Sequence, residues 1–541
     1  MKNITNRNNP KIIDCTLRDG GYYNNWDFNI ELINKYINAV QRAGVDYIEL
    51  GFRTKNNSGY FGPLAYTTED FIEELNINNS IKLGVMINSS ELIKSKNLEK
   101  DISILFPLSE ETSKISFVRI ACKFNEIEIA FKAGKLLKNY GFKVCINLMQ
   151  ISSIKDKELC EFGKYGSLYN PDVLFIGDST GTLMPENIKK IFKALRTHWK
   201  GEIGIHAHDN MRRALINTIE AYRNGFLWLD STVQGMGRGP GNTKTEDLVF
   251  EIKDINSPNI DFLPLIDLVQ KDFYNLKQKY RWGSNPFYYL SGKNELHPTY
   301  IQNMLDNKSY RNEDIYASIK ELTKNKSINF KERELQNSRT YYNEDIDGEW
   351  SPINEFMNRE VLLLAPGKSI NIHKNAIHKF IRKYSPLVVA LNILDNIEDE
   401  LINYRIACHP IRIFSDLPKY KLFRQPLITP KKQLIKWSKK SLEFQILDFG
   451  IKVKENIFEF KKKSCIIPSP LVMAYSLAML NSGKAKKIYC VGFDGYEDGD
   501  PRQSEVDSIW QAYFRSSNYV EVISLTNTLH KIPKSSVYSF L

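Results

Sequence analysis

Two histidines one residue apart, His206 and His208, close the apolar run EIGIHAH (202–208), and an arginine–aspartate pair, Arg18-Asp19, follows another, KIIDCTL (11–17). If both runs are strands, side-chain alternation puts the two imidazoles on one side. With one carboxylate they make a three-ligand set that grips a divalent cation and leaves positions open. Asp19 is the carboxylate a neighbouring strand would bring. Open positions suit a 2-oxo acid, which chelates through its carboxylate and keto oxygens, and a cation there stabilises the enolate formed when the adjacent carbon–carbon bond breaks. Arg18 adds a fixed positive charge beside that anion. Two of only eight histidines in one H-x-H at a strand end argue against ordinary surface polarity. The same ligand set also describes a non-haem iron oxygenase, so the elements carrying it must decide.

From residue 11 to about 255, short runs rich in Val and Ile alternate with amphipathic stretches, the pattern of βα units and a parallel sheet. The runs are KIIDCTL (11–17), DYIELGF (46–52), KLGVMIN (82–88), ISFVRIA (115–121), KVCINLM (143–149), DVLFIGD (172–178), EIGIHAH (202–208) and WLDSTVQ (228–234). Eight of them within ~250 residues predict a (β/α)8 TIM barrel. Catalytic groups of such a barrel lie at the C-terminal strand ends, where Arg18-Asp19, Glu49, Asp178-Ser179-Thr180 and His206 to Asn210 all fall. A parallel barrel speaks against the oxygenase, whose architecture is antiparallel. Glu49 reads equally as a salt-bridge partner orienting Arg18, and Ser179, Thr180 and Asn242 read equally as turn formers.

At 541 residues, 42% hydrophobic and 25% charged, the chain predicts a soluble globular protein of several domains. The barrel is expected over 1–255, a helical appendage over 256–338, a linker over 339–358 and a Rossmann-like α/β domain over 359–541, carrying VLLLAPGKSI, LVVALNI, CIIPSP and KIYCVGFDG. The start, MKNITNRNNPKIID, lacks the apolar core of a secretory signal and no stretch approaches the ~20 apolar residues of a membrane span, so a cytoplasmic protein without a membrane partner is expected. Seven cysteines, none in a C-x-x-C pair, predict reduced structural thiols. Of the net charge of +11, an excess of ten sits in residues 401–463, fifteen Lys plus Arg against five Asp plus Glu, including Lys431, Lys432, Lys439, Lys440 and Lys461 to Lys463. Without a recognised module this reads as a solvated face, or a phosphate-facing one, rather than a nucleic-acid surface.

DCTLRDGGY, IELGF, GIHAHDN and GMGRGPGN together resemble the DRE-TIM metallolyases over about residues 10–255. The likeness is closest to 4-hydroxy-2-oxovalerate aldolase-like (HMGL-like) proteins, with 3-hydroxy-3-methylglutaryl-CoA lyase and isopropylmalate synthase more distant. RWGSNPFYYLSG (281–292) and HPTY (297–300) are similar to the helical segment after the barrel in the aldolase branch. The resemblance implies Asp19, His206 and His208 as ligands of Mn2+ or Mg2+, Arg18 as the enolate-stabilising arginine, Glu49 as its partner, and Asn242 as the fourth ligand of the lyase branch. One departure concerns the base. The aldolases place a histidine three residues after the metal aspartate, and this chain has Tyr22. A tyrosine of ordinary pKa ~10 must be lowered to serve near neutrality, and a metal-bound water competes for the role. The glycine loop also lacks the cysteine of the CoA lyase branch, which disfavours a hydroxymethylglutaryl-type reaction.

LLLAPGKSI with SPLVMAYSLAMLNSGKAKKIYCVGFDGY resembles the Rossmann-like domain of 6-hydroxymethylpterin pyrophosphokinase MptE-like and bacterial sialyltransferase-like proteins. That implies a nucleotide or nucleotide-sugar site at Gly367, Lys368, Ser469 and Asp494. A helix-start glycine and a loop aspartate account for those residues equally. The expectation is therefore a metal-dependent aldolase or lyase, a homo-oligomer joining or cleaving a bond between a 2-oxo acid and an aldehyde, with a domain pairing that suits surface-sugar biosynthesis. Its rivals are an acyl-CoA-dependent Claisen condensation of the isopropylmalate synthase type, and an inactive barrel scaffold bearing a glycosyl- or phosphotransferase-like domain.

Overall fold

The computed structural model describes residues 9–541 except 57, 78–80, 308–309, 325–326, 328–329, 332–334, 336–341, 343, 436–443 and 498–499. Lys439, Lys440 and part of the 339–358 segment lie outside the described residues. The chain divides into two compact units, 1–303 with 323–330, and 304–322 with 331–541.

The first unit is a closed parallel barrel of β1 (Lys11–Asp14), β2 (Tyr47–Phe52), β3 (Lys82–Asn88), β4 (Ile115–Cys122), β5 (Lys143–Leu148), β6 (Val173–Asp178), β7 (Glu202–Ala207) and β8 (Trp228–Ser231). It closes where Lys11 to Asp14 of β1 pair with Trp228 to Ser231 of β8. All eight expected strands are present. Alternation divides them between two apolar layers: outward residues such as Ile12, Ile48, Val85 and Ile120 meet the helices, while Ile13, Tyr47, Phe117, Phe175 and Trp228 fill the interior. These rings close the barrel below the mouth, so the polar residues gather at one end only.

The first strand is shorter than its apolar run. It stops at Asp14, whose carboxylate accepts the Thr16 N–H (2.8 Å) and the Tyr36 hydroxyl (2.5 Å), and the chain turns into a single helical turn, Thr16–Gly20, that carries Arg18 and Asp19. An aspartate that bonds the backbone two residues on offers an alternative to the ladder, and here it wins. Strand β8 likewise ends at Ser231, three residues before the end of its run, and His208 lies just past β7, bridged to Asn242.

After the barrel, helices span Leu263–Leu268, Tyr274–Tyr280, Pro286–Lys293, Pro298–Asp306 and Asn312–Lys324, with a π turn at Val269–Phe273. The 256–338 stretch contributes to both units. Within 339–358, Tyr342 and Phe356 are fully buried in the second unit's core, and the Tyr342 hydroxyl donates to the Cys408 carbonyl.

The second unit is built on a seven-stranded parallel sheet of β9 (Glu360–Leu364), β10 (Leu387–Leu391), β11 (Tyr404–Ile406), β12 (Leu427–Thr429), β13 (Ile446–Asp448), β17 (Lys487–Val491) and β18 (Val522–Ser524), in the order β13-β12-β11-β10-β9-β17-β18. A small sheet of β14 (Gly450–Val453), β15 (Glu459–Phe460) and β16 (Ser464–Ile467) stands apart in the order β14-β16-β15. Val361, Leu363 and Val389 pack on one face of the main sheet with the helix Val472–Ser482, and Leu362, Leu364 and Val388 on the other with Lys374–Tyr384. Such double burial explains why these strands read as unbroken apolar runs. Strand order reverses between β9 and β17, the point at which a crevice opens beyond the strand ends. In the basic region Lys461 pairs with Asp345 (2.6 Å) and Lys432 with Glu349 (3.7 Å).

Candidate active site

The C-terminal mouth of the barrel encloses a cavity of about 340 Å3 lined by Arg18, Asp19, Tyr22, His206, His208 and Arg238 among others. Asp19, His206 and His208 each offer a ligand atom within 4.8 Å of the other two. The ring centroids of the histidines are 5.1 Å apart.

Behind these groups runs a circuit of buried charges drawn from strands β2, β4, β7 and β8 and from the helical turn after β1. His206 Nδ1 lies 2.9 Å from Asp230 Oδ2. Asp230 also takes both terminal nitrogens of Arg119, Nη2 at 3.0 Å. Arg119 Nε forms an ion pair with Glu49 Oε2 at 2.7 Å, outside hydrogen-bond alignment. Glu49 Oε1 accepts from Arg18 Nε at 2.6 Å, and Arg18 Nη1 donates to Asp19 Oδ1 at 2.7 Å. Three carboxylates against two guanidiniums leave this buried set one negative charge in excess when His206 is neutral, a balance that favours a bound cation.

The hydrogen bonds also choose the tautomer. With its Nδ1 proton given to Asp230, His206 turns the Nε2 lone pair toward Asp19 Oδ2, 3.9 Å away. Burial would raise the Asp19 pKa, but Arg18, the two histidines and the Asn242 amide hold its carboxyl well below the usual carboxylate range. Burial, with His206 beside it, pushes His208 down to about 3, leaving a neutral imidazole. Its Nδ1 and the Asn242 Oδ1 are buried without a hydrogen-bond partner, while Asn242 Nδ2 donates to Asp19 Oδ2. An ionised carboxylate, a neutral His208, the His206 Nε2 facing Asp19 and an orphaned amide oxygen together fit a divalent cation.

The HMGL-like family model matches residues 9–270. The chain is 28% identical over 247 residues to an oxaloacetate decarboxylase of Mycobacterium tuberculosis, covering 45% of this chain and 70% of that one. It is 28% identical over 266 residues to a 4-hydroxy-2-oxovalerate aldolase of Carboxydothermus hydrogenoformans, covering 48% and 76%. The solved N-terminal domain of a candidate aldolase from Bacteroides vulgatus is 33% identical, covers 55% of this chain and 96% of its own, and superposes with a TM-score of 0.50.

Residues 9–270 belong to the HMGL-like family.

With the family comes its general chemistry: the HMGL-like barrel is a metal-dependent carbon–carbon lyase domain. Its mouth brings together Arg18, Asp19, Glu49, His206, His208 and Asn242. Tyr22 lines the same cavity, its ring edge-on to Trp26 at 4.8 Å and covered by the Arg238 guanidinium at 3.9 Å. Ser179 lines the cavity and its Oγ accepts the Gln150 N–H, while Thr180 bonds Ser152 and Thr182, so the pair ties the loop after β6 to the loop after β5. Sequence reasoning missed Arg119, Asp230 and His297. The first two stood as single charges inside apolar strands, ISFVRIA and WLDST, and that is the signal that marks them.

The second unit has its own cavity, about 320 Å3, at the β9/β17 switch point. Gly367 and Asp494 line it. A Cβ on Gly367 would lie 2.3 Å from the Gly492 carbonyl and 2.6 Å from Asp494 Cγ, so glycine is required for this approach. Asp494 accepts the Ser369 N–H (2.9 Å) and hydroxyl, tying the loop after β17 to the loop after β9. Lys368 and Ser469 are not among the lining residues; the Ser469 hydroxyl donates to Glu505, which is, at 2.9 Å.

Proposed function

We propose that the HMGL-like barrel is an aldolase that makes or cleaves the bond next to a 2-oxo acid, with an aldehyde as the second reactant. The observation that carries this reading is the convergence of Asp19, His206 and His208 within 4.8 Å beside Arg18. Mn2+ or Mg2+ held by those three residues, with Asn242 Oδ1 as a further donor, would supply Lewis acidity to the keto and carboxylate oxygens of the substrate. The protein's own groups do the rest. Arg18, immobilised by Glu49 and Asp19, meets the oxygen on which negative charge develops. Asp230 keeps His206 in one tautomer, and Arg119 holds Asp230 and Glu49 in place. In cleavage, the C3–C4 bond breaks, its electron pair passes into the C2–C3 enolate, and the C4 hydroxyl loses its proton as the aldehyde forms. Tyr22, at the position that carries the aldolases' histidine and on the cavity wall, would take that proton in its phenolate form, becoming the neutral phenol as the aldehyde leaves.

The test is wash-in of solvent deuterium at the methyl group of pyruvate with Mn2+ present, together with Mn2+ calorimetry. Wild type should exchange and bind; His206→Ala should lose both, by 100-fold or more in rate. Exchange equal in the two proteins would sink the reading.

The switch-point cavity favours a second reading, for the other unit: a nucleotide or nucleotide-sugar site with Gly367 and Asp494 on its wall. Two such activities in one chain would serve synthesis of a surface sugar by a cytoplasmic homo-oligomer. Calorimetry with nucleoside mono- and diphosphates tests the binding, and absence of heat with every nucleotide would remove it.

A further inference from the structure

The cations of the barrel mouth fall into two classes. Arg18 and Arg119 are each neutralised by two carboxylates at hydrogen-bond distance. Arg238 and Lys123 line the same cavity and, among the described residues, have no carboxylate within the 4.0 Å of an ion pair. Arg238 comes from the loop after β8 and lies over the Tyr22 ring; Lys123 follows β4. Asp19 is the one acidic residue among those that line the cavity, and the proposed cation already engages it.

A third group completes this side. His297 lines the cavity from the segment after the barrel. Its Nδ1 accepts the Thr299 N–H at 3.3 Å, capping the helix Pro298–Asp306. A ring nitrogen that accepts a backbone N–H carries no proton, so the ring proton sits on Nε2. His409 in the second unit, also followed by proline, shows the same device: Nδ1 accepts the Arg412 N–H, and Nε2 lies 3.2 Å from Asp314 Oδ1, an acceptor that needs a proton there. Burial pushes His297 down to about 4, Arg238 and Lys123 adding to it, so near neutrality its ring is an uncharged donor rather than a third cation. His297, Arg238 and Lys123 all line this one cavity.

We infer that the far end of the substrate carries an anionic group, a carboxylate or a phosphate, received by Arg238, Lys123 and the Nε2–H of His297. This rests on the aldolase reading and adds to it the class of the second reactant. Pyruvate's own charge is answered by Arg18 and the cation, whereas Arg238, half-buried over the Tyr22 ring, and Lys123, exposed on the cavity wall, gain a carboxylate or phosphate partner only from an anionic second reactant and none from a small neutral aldehyde.

Two experiments decide it, both on the full chain loaded with Mn2+. In the first, pyruvate is condensed with glyoxylate, glyceraldehyde 3-phosphate or acetaldehyde. At least one anionic aldehyde should exceed acetaldehyde tenfold or more in kcat/KM, and which of the two does so tells carboxylate from phosphate. That ratio should fall tenfold or more in Arg238→Met, less in Arg238→Lys, and measurably in Lys123→Met. In the second, calorimetry compares 2-oxoglutarate with 2-oxopentanoate, equal in length and different only in the distal carboxylate; the former should bind at least tenfold tighter in wild type, with the gap closed in Arg238→Met. Wild-type pyruvate exchange together with ratios near one would overturn the inference and leave the aldolase reading standing. Failure of exchange with a preserved 2-oxoglutarate preference would do the reverse.

Discussion

Asp230 shows how much of a candidate metal site lies behind the residues that would hold the ion. Its carboxylate holds the Nδ1–H of His206 at 2.9 Å and both terminal nitrogens of Arg119, so one residue fixes an imidazole's tautomer and closes a buried charge circuit. Replacing it by asparagine keeps the shape, removes the charge and lets the imidazole turn over. Outer partners of metal histidines change affinity by about 10- to 100-fold, so Asp230→Asn should weaken Mn2+ binding by that much in calorimetry, and unchanged affinity would refute the positioning role. It should also lower stability by roughly 3 kcal/mol, because Arg119 is fully buried and loses its bidentate partner. At this scale the sequence was partly legible. His206, His208 and Arg18-Asp19 could be recognised because two candidate ligands share a short motif and the third follows a strand. Asp230 and Arg119 were not singled out, since their meaning depends on strands β8 and β4 pointing them into the same interior, which no local spacing reports.

The elements that aim these residues are one helical turn and one glycine loop. Gly237 lies so close to the site that a Cβ would meet Asn242 Nδ2 at 2.3 Å and Asp19 Oδ2 at 2.6 Å. Gly237→Ala should therefore displace Asn242 or Asp19 and cut Mn2+ affinity at least tenfold while far-ultraviolet circular dichroism keeps its barrel spectrum; full affinity would show that the loop yields. The same loop is anchored by Glu246, which accepts the N–H of Gln234, a residue in the left-handed region at φ 51°. Burial raises the Glu246 pKa from 4.5 to about 7. A raised acid pKa means the folded protein holds the proton more tightly than the unfolded chain, so this group's contribution is complete below about pH 4.5 and is lost as pH rises through 7. The difference is on the order of 3 kcal/mol at 1.36 kcal/mol per unit. Glu246→Gln keeps an acceptor for Gln234 and abolishes the titration, so the variant should gain thermal stability relative to wild type at pH 8 and lose that advantage at pH 4.5; parallel profiles would exclude the effect. The barrel strands were readable from their apolar runs, but the stop at Asp14 was not, because KIIDCTL stays apolar while a side chain to backbone bond at Asp14 turns the chain.

Each unit has its own apolar core. In the first, Ile48, Val85 and Phe131 belong to the layer between barrel and helices, and in the second, Phe356, Val389 and Tyr475 belong to the core on one face of the seven-stranded sheet. The barrel and the second sheet could be expected from the rhythm of strands, whereas the fate of residues 304–322 could not: amphipathic periodicity shows that the helix Asn312–Lys324 buries a face, not which core receives it. Separate cores predict separate unfolding. Scanning calorimetry should resolve two transitions, and Mn2+ at 100 times its dissociation constant should stabilise only the barrel, by about 2.7 kcal/mol. At roughly 2–4 °C per kcal/mol for units of this size, that is a shift of several degrees. Phe356→Ala, emptying a fully buried site in the second core, should lower the other transition by a comparable or larger amount, since such truncations cost about 3–5 kcal/mol. A single transition that moves as a whole with either perturbation would mean the two units unfold as one, and the metal would then stabilise the second unit as much as the barrel.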